Sequence, residues 1–175
     1  PRVRRQRQMC IRDSSMGAVT GPELLVVDEP TKAVDWILRK EVVEVLRQMK
    51  EEMKRSMLLI THDFGAASRL ADRIGVMYCG QIVEIGETQQ ILKYPQHPYT
   101  KGLIGAMPSR GFQVMEGFMP SFSDVPEGCR FEPRCSRRRD VCARKVPEMY
   151  SGDGGSQVRC FLCQPEELKE DGCHA

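Results

Sequence analysis

Two short aliphatic runs stand out from a mostly polar chain. Leu24 to Val27 leads into Asp28-Glu29-Pro30-Thr31, and Met57 to Ile60 leads into Thr61-His62-Asp63. Apolar runs without alternation predict strands buried on both faces. Between them, Asp35 to Met53 reads as a helix. Leu38, Val42, Val45, Leu46, Met49 and Met53 recur at three- and four-residue spacing, and Arg39, Lys40, Glu44, Arg47, Lys50 and Glu51 fill the other face. Asp35 suits the N-cap. Strand, helix and strand in this order predict a βαβ unit with a right-handed crossover and parallel strands. Parallel strands place both carboxyl ends on one edge, so Asp28, Glu29 and His62 should converge there. One carboxylate at such an edge can hold Mg²⁺, and its neighbour can orient or deprotonate a water.

The pattern continues with a short helix from Phe64 to Ala71, packed through small residues. Strands Ile74–Cys79 and Ile82–Ile85, joined at Gly80-Gln81, predict an antiparallel hairpin. Thr88 is placed as the cap of a short helix to Tyr94, stopped by Pro95. His97-Pro98-Tyr99-Thr100 reads as a turn and Lys101 to Met107 as a last short helix. Gly111 to Gly128 is weakly patterned and reads as a linker. Upstream, Met16 to Val19 reads as a helix end.

Composition adds a boundary. Hydrophobic content of 41% permits a packed core, and a net charge of +2 with 29% charged residues gives no overall pull toward nucleic acid or a membrane surface. No apolar run is long enough to span a bilayer, and the arginine-rich start has no secretory apolar core. A cytosolic setting is therefore expected, which makes eight cysteines unusual. Only Cys10 and Cys79 precede residue 128; the rest lie from Cys129 to Cys173, where apolar periodicity is sparse. A boundary is drawn near Pro108. Cys129, Cys135, Cys142 and Cys160 have neither ferredoxin nor paired zinc-ribbon spacing and say only that four thiolates hold one metal. Cys163 is an alternative to Cys160. Residues 1–15 have no helical or strand period, and one reverse translation of Gln8 to Ser14 reproduces a sequencing-library adaptor. They are set aside as an artefact or a disordered segment, the rival being a basic helix start. Arg130, Arg134, Arg137, Arg138, Arg139, Arg144 and Lys145 crowd the cysteine segment. With little aromatic interleaving they read as a solvated face that offsets thiolate charge, and no nucleic-acid partner is expected.

These residues carry a resemblance. LLVVDEPT resembles the Walker B segment of ATP-binding-cassette (ABC) ATPases, Thr31 to Asp35 the D-loop, Leu58 to Asp63 the switch-histidine segment, and Ala71 to Glu87 the strand pair that closes the nucleotide-binding domain. Tyr94 to Pro108 and Pro126 to Cys135 resemble the C-terminal region of oligopeptide/dipeptide transporter ATPases, whose relatives include nickel importers. The resemblance implies an α/β fold: the C-terminal part of a P-loop NTPase parallel sheet with flanking helices, plus a small, irregular cysteine-rich region. In this division residues 16–108 are a partial nucleotide-binding domain, 109–128 a linker and 129–175 the cysteine-rich region.

It also implies roles. Asp28 would hold Mg²⁺ of the Mg–ATP substrate, Glu29 would be the general base, His62 would contact the γ-phosphate, and Asp35 would act across a dimer interface. The same resemblance implies a [4Fe–4S] cluster on Cys129, Cys135, Cys142 and Cys160, with Zn²⁺ the alternative. Implied partners are a second ABC ATPase subunit in a homo- or heterodimer, two membrane permeases and an extracytoplasmic substrate-binding protein, at the cytoplasmic face of a prokaryotic cell membrane. The sequence contains no G-x-x-x-x-G-K-[ST], no Q-loop and no LSGGQ signature. It is therefore expected to be a C-terminal piece that alone binds nucleotide poorly and hydrolyses almost nothing. Two further readings stand beside the peptide importer and nickel importer: an ABC ATPase outside transport, and a metal- or Fe–S-binding docking or redox-sensing module.

Overall fold

A computed structural model describes residues 22–32, 34–53, 56–121 and 123–166. The helix end at Met16 to Val19, residues 1–15 and Cys173 lie outside the described residues. The chain is mixed α/β and divides into two compact units between Ala71 and Asp72. The boundary drawn near Pro108 thus falls inside the second unit.

The first unit is the expected βαβ arrangement followed by a short helix: β1 (Leu24–Asp28), α1 (Trp36–Met53), β2 (Ser56–Ile60) and α2 (Phe64–Leu70). β1 and β2 pair in parallel, Leu24 opposite Ser56 through Asp28 opposite Ile60. Glu29 extends the ladder by donating its N–H to the Ile60 carbonyl at 2.8 Å. The core joins Val43 and Leu46 of α1 to Ala66 and Leu70 of α2, with Val27, Val42, Met49 and Leu59 packed against them. Val43, absent from the predicted stripe, is buried, whereas Val45 is only half-buried.

One expectation fails here. β1 and β2 are not buried on both faces: Leu24, Val26, Leu58 and Ile60 are 47–54% exposed. Side chains alternate across a sheet, and the helical core takes only the face that carries Val27 and Leu59. The continuous apolar run therefore covers two faces of which the described residues cover one. On the solvent side of α1, Arg47 bridges Glu44 and Glu51, each about one turn away from it. The pairing holds the Glu44 carboxyl below and the Arg47 guanidinium above their ordinary values.

The second unit is built on β3 (Arg73–Tyr78) and β4 (Gln81–Glu87). Their hairpin turns at Cys79-Gly80, one residue earlier than predicted. Both turn residues have positive φ, 44° and 75°, the conformation that a two-residue loop needs to match strand twist. α3 (Thr88–Lys93) follows, with Glu87 rather than Thr88 at its N-cap; Thr88 is its buried first residue. α4 (Pro98–Gly105) begins three residues before the predicted helix. Pro98 occupies its first turn, where its missing N–H is harmless, and the His97 ring accepts from the Tyr99 N–H at 3.0 Å. The HPYT stretch is thus a capped helix start, not a turn.

Residues 111–121 and 123–128 form no helix or strand. The cysteine-rich part then adds a short helix, α5 (Asp140–Arg144), and two small strands, β5 (Tyr150–Ser151) and β6 (Gln157–Val158). It is not a separate appendage: β6 pairs with β4, giving a four-stranded sheet of order β3-β4-β6-β5. Tyr78, Tyr99 and Phe131 stack around its core, with ring centroids 4.6–5.5 Å apart. Among the described residues, no helix is long and apolar enough to cross a membrane.

Leu46 is 1% exposed at the centre of the first core. Leu46→Ala is expected to destabilise that unit by about 2–5 kcal/mol, read as a lowered urea midpoint; a midpoint unchanged from wild type would contradict the packing described.

Candidate functional site

The carboxyl edge of the parallel pair carries the first candidate site. β1 ends at Asp28, and the next residue, Glu29, sits at φ 46°, in the left-handed region. A non-glycine residue there costs roughly 1–2 kcal/mol. The conformation reverses the chain, and Lys32 N–H closes the turn on the Glu29 carbonyl at 3.0 Å. Thr31, inside this turn, is buried.

The reversal delivers the Glu29 carboxylate to His62, just past the end of β2. Its Oε1 accepts the His62 backbone N–H at 3.1 Å and faces the ring Nδ1 at 2.9 Å. Oε2 lies 2.8 Å from the same Nδ1 and, though buried, accepts no hydrogen bond of its own. The His62 side chain is 75% exposed, so the pair forms a rim with the imidazole facing solvent. Asp28 is exposed one residue away on the same edge. Asp35 stands immediately before α1, and its carbonyl accepts from Leu38 and Arg39. The structure thus brings Glu29 and His62 into contact and sets Asp28 beside them. Asp35 lies at the start of the crossover helix, outside that contact.

The second candidate site is a small cavity in the cysteine-rich part. Cys129, Cys135, Cys142 and Cys160 all line it, with Phe131 and Phe161 among the apolar walls. Cys163 does not; its Sγ lies 3.8 Å from the Gln96 Oε1. Local backbone bonds hold the thiols in place. The Cys129 N–H donates to the Cys142 carbonyl at 2.7 Å, and Gly128 permits that approach, since a Cβ there would stand 2.2 Å from the Cys142 oxygen. Burial pushes the Cys129 and Cys135 thiols up, and the Cys160 thiol up to about 12; neighbouring thiols add to the rise. The donor set is that of a thiophilic metal, and binding would deprotonate the thiols. Among the described residues, however, no group of three or more His, Cys, Asp or Glu side chains is arranged to hold an ion.

Of the six arginines expected to form a solvated face, Arg137, Arg138, Arg139 and Arg144 are exposed, while three of the six also serve the backbone. Arg130 donates to the Cys79 carbonyl, Arg134 to Glu116, and Arg139 to Phe161. The sequence reading also missed Glu84 and His97. Glu84 is 0% exposed on β4, and its carboxylate accepts the Gln96 and His97 backbone N–H groups at 2.8 and 3.0 Å. A lone glutamate in an apolar strand was the available signal. His97 lines the thiol cavity.

Residues 83–142 match the family described as the oligopeptide/dipeptide transporter, C-terminal region. Across a longer span the chain is similar to the oligopeptide transport ATP-binding protein AppD of Bacillus subtilis, at 39% identity over 85% of this chain and 47% of AppD. It is likewise similar to the dipeptide transport ATP-binding protein DppD of the same organism, at 37% over 85% of this chain and 46% of that protein. DppD of Caldanaerobacter subterraneus is 35% identical over 85% of this chain and 47% of its own length. The chain spans about half the length of the curated relatives it matches. The resemblance drawn from the short motifs and the one drawn from long alignment lead to the same proteins.

His97 gives the second unit a pH dependence. Burial lowers its pKa to about 4, only partly offset by a hydrogen bond to the Arg159 backbone. The unfolded chain takes up a proton near pH 6.5 that the folded one refuses, so stability is full above that pH and falls as pH drops toward 4. A loss of about 3 kcal/mol is expected across this window. His97→Asn, which keeps an acceptor for the Tyr99 N–H, should flatten the dependence in urea melts at pH 7 and 4.5. An equal slope in wild type and variant would contradict it.

Proposed function

We propose that the chain supplies the Walker B and switch-histidine side of an ABC-type ATPase that energises import of di- or oligopeptides. The observation that carries this reading is the Glu29–His62 contact across the carboxyl edge of a parallel βαβ unit. Phosphoryl transfer needs positioning and charge neutralisation more than covalent chemistry. Glu29 is the base that orients and polarises the attacking water, its carboxylate held against the His62 ring through both oxygens. His62 fixes the Glu29 carboxylate and presents its ring to the γ-phosphate. Asp28 is the holder of Mg²⁺, which supplies neutralisation of phosphate charge. Asp35 belongs to the contact with a second ATPase subunit. The P-loop sheet with flanking helices is the fold in which these residues would sit.

The names of the relatives favour peptides over nickel as cargo. Two membrane permeases, an extracytoplasmic binding protein and a peripheral position on the cytoplasmic face of the membrane follow from the same reading. On the same reading Cys129, Cys135, Cys142 and Cys160 would be the ligands of a [4Fe–4S] cluster, supported by their common cavity, and the cluster would tie together a segment poor in core residues. Cys160 is preferred to Cys163 because it lines the common cavity.

A chimera carrying this chain from Leu24 onward in place of the matching half of AppD tests the ATPase reading. It should hydrolyse ATP with magnesium, and Glu29→Gln should lower the rate by about 10²–10⁴-fold. A folded chimera without activity, or an unaffected Glu29→Gln, would sink the proposal. For the cysteines, anaerobic purification should give a brown protein with visible absorption and bound iron. Cys160→Ser should lose the metal and Cys163→Ser keep it; a colourless, zinc-loaded chain would rule out the cluster.

A further inference from the structure

The Glu29–His62 contact is made by two residues that follow strand ends and are held very differently. Glu29 is fixed by its ladder bond and turn. His62 sits in a connection between β2 and α2, where neither strand nor helix fixes it. Its peptide is nonetheless pinned from both sides. The Thr61 hydroxyl oxygen accepts the Asp63 N–H at 3.0 Å. Asp63 Oδ1 accepts the Gly65 N–H at 2.8 Å and the Ala66 N–H at 3.1 Å. The Asp63 carbonyl takes the Ala67 N–H at 3.0 Å. The His62 N–H is then the donor turned toward Glu29. Every one of these bonds sets the plane of a peptide adjoining or following His62.

We infer that Asp63 and Thr61 are positioning residues that set the His62 backbone and ring against the Glu29 carboxylate. The inference rests on the ATPase reading for its purpose but not for its geometry. Asp63 is more than a helix cap in this view. With its side chain bound to Gly65 and Ala66, its own N–H is left to Thr61, and the peptide joining His62 to Asp63 cannot rotate freely. Fixing that peptide selects which imidazole nitrogen meets the carboxylate. Nδ1 faces Glu29, so the carboxylate favours the proton on Nδ1 and leaves Nε2 as the outward nitrogen.

The experiment is long-range ¹H–¹⁵N correlation of the histidine rings in the 175-residue chain above the histidine titration range. Wild type should show His62 with its proton on Nδ1, and Glu29→Gln should abolish that preference. Asp63→Ala and Thr61→Val should abolish it too, while Asp63→Asn, which keeps the cap acceptor, should restore it. In a Glu29→Gln background, Asp63→Ala should add no further change in the His62 ring. A mere capping role would lower the stability of α2 and leave the His62 nitrogens where they were, and that result overturns the inference. Should Asp63→Ala fail to fold, Thr61→Val decides, since it removes only the hydroxyl; an unmoved His62 ring in that variant overturns the inference as well. If the His62 ring responds as stated while the AppD chimera hydrolyses no ATP, the positioning role stands and the ATPase reading falls.

Discussion

Parallel pairing of β1 with β2 is the constraint from which the first unit follows. Two parallel strands cannot be joined by a tight turn, so the chain must cross over, and α1 is that crossover. The crossover brings both carboxyl ends to one edge. It also gives α1 an apolar face against the sheet, where Val43 and Leu46 meet Val27 and Leu59. The left-handed Glu29 then converts a strand end into a reversal, and its carboxylate meets His62. Backbone strain at Glu29 is offset locally, because the same residue contributes a ladder bond, a turn bond and two contacts to His62.

The second unit solves a different problem. It has little regular structure beyond its hairpin, so side chains must satisfy backbone groups that helices and strands satisfy elsewhere. Glu84 takes two N–H groups ahead of α4. Arg159 reaches the Ile82 and Pro147 carbonyls, and Arg139 reaches Phe161. Arginine suits this work because its planar fork offers several donors that remain charged at any ordinary pH. A short pairing of β6 with β4 then binds the cysteine-rich part into the same sheet as the hairpin.

The first unit was legible because its signals were local. Two aliphatic runs and one amphipathic helix gave the βαβ unit, and Asp28, Glu29 and His62 followed from its geometry. The exposure of Leu24 and Ile60 was not legible, since an apolar run does not say how many of its faces find partners. In the second unit, the hairpin and α3 were readable from turn residues and periodicity. The start of α4 was missed because HPYT offers proline and histidine, which look like turn chemistry until His97 is seen to cap the helix. The joining of Cys129–Cys163 to β4 was invisible: β6 is two residues long, and its pairing spans more than seventy positions of chain. That Cys129, Cys135, Cys142 and Cys160 line one cavity while Cys163 lies beside Gln96 could not be read from their spacing, which left Cys160 and Cys163 as alternatives.

The uncovered side of the β1–β2 pair has a consequence for how this polypeptide behaves in solution. Leu24, Val26, Leu58 and Ile60 form an apolar strip on a sheet of two strands, and each strand has a free hydrogen-bonding edge among the described residues. A greasy strip flanked by unpaired backbone is a template for adding further strands. Left bare, it makes the first unit self-adhesive and a natural client for chaperones; covered by a packing layer, the same residues become ordinary core. Whether this strip finds a cover therefore bears on solubility alongside the chain's balanced charge.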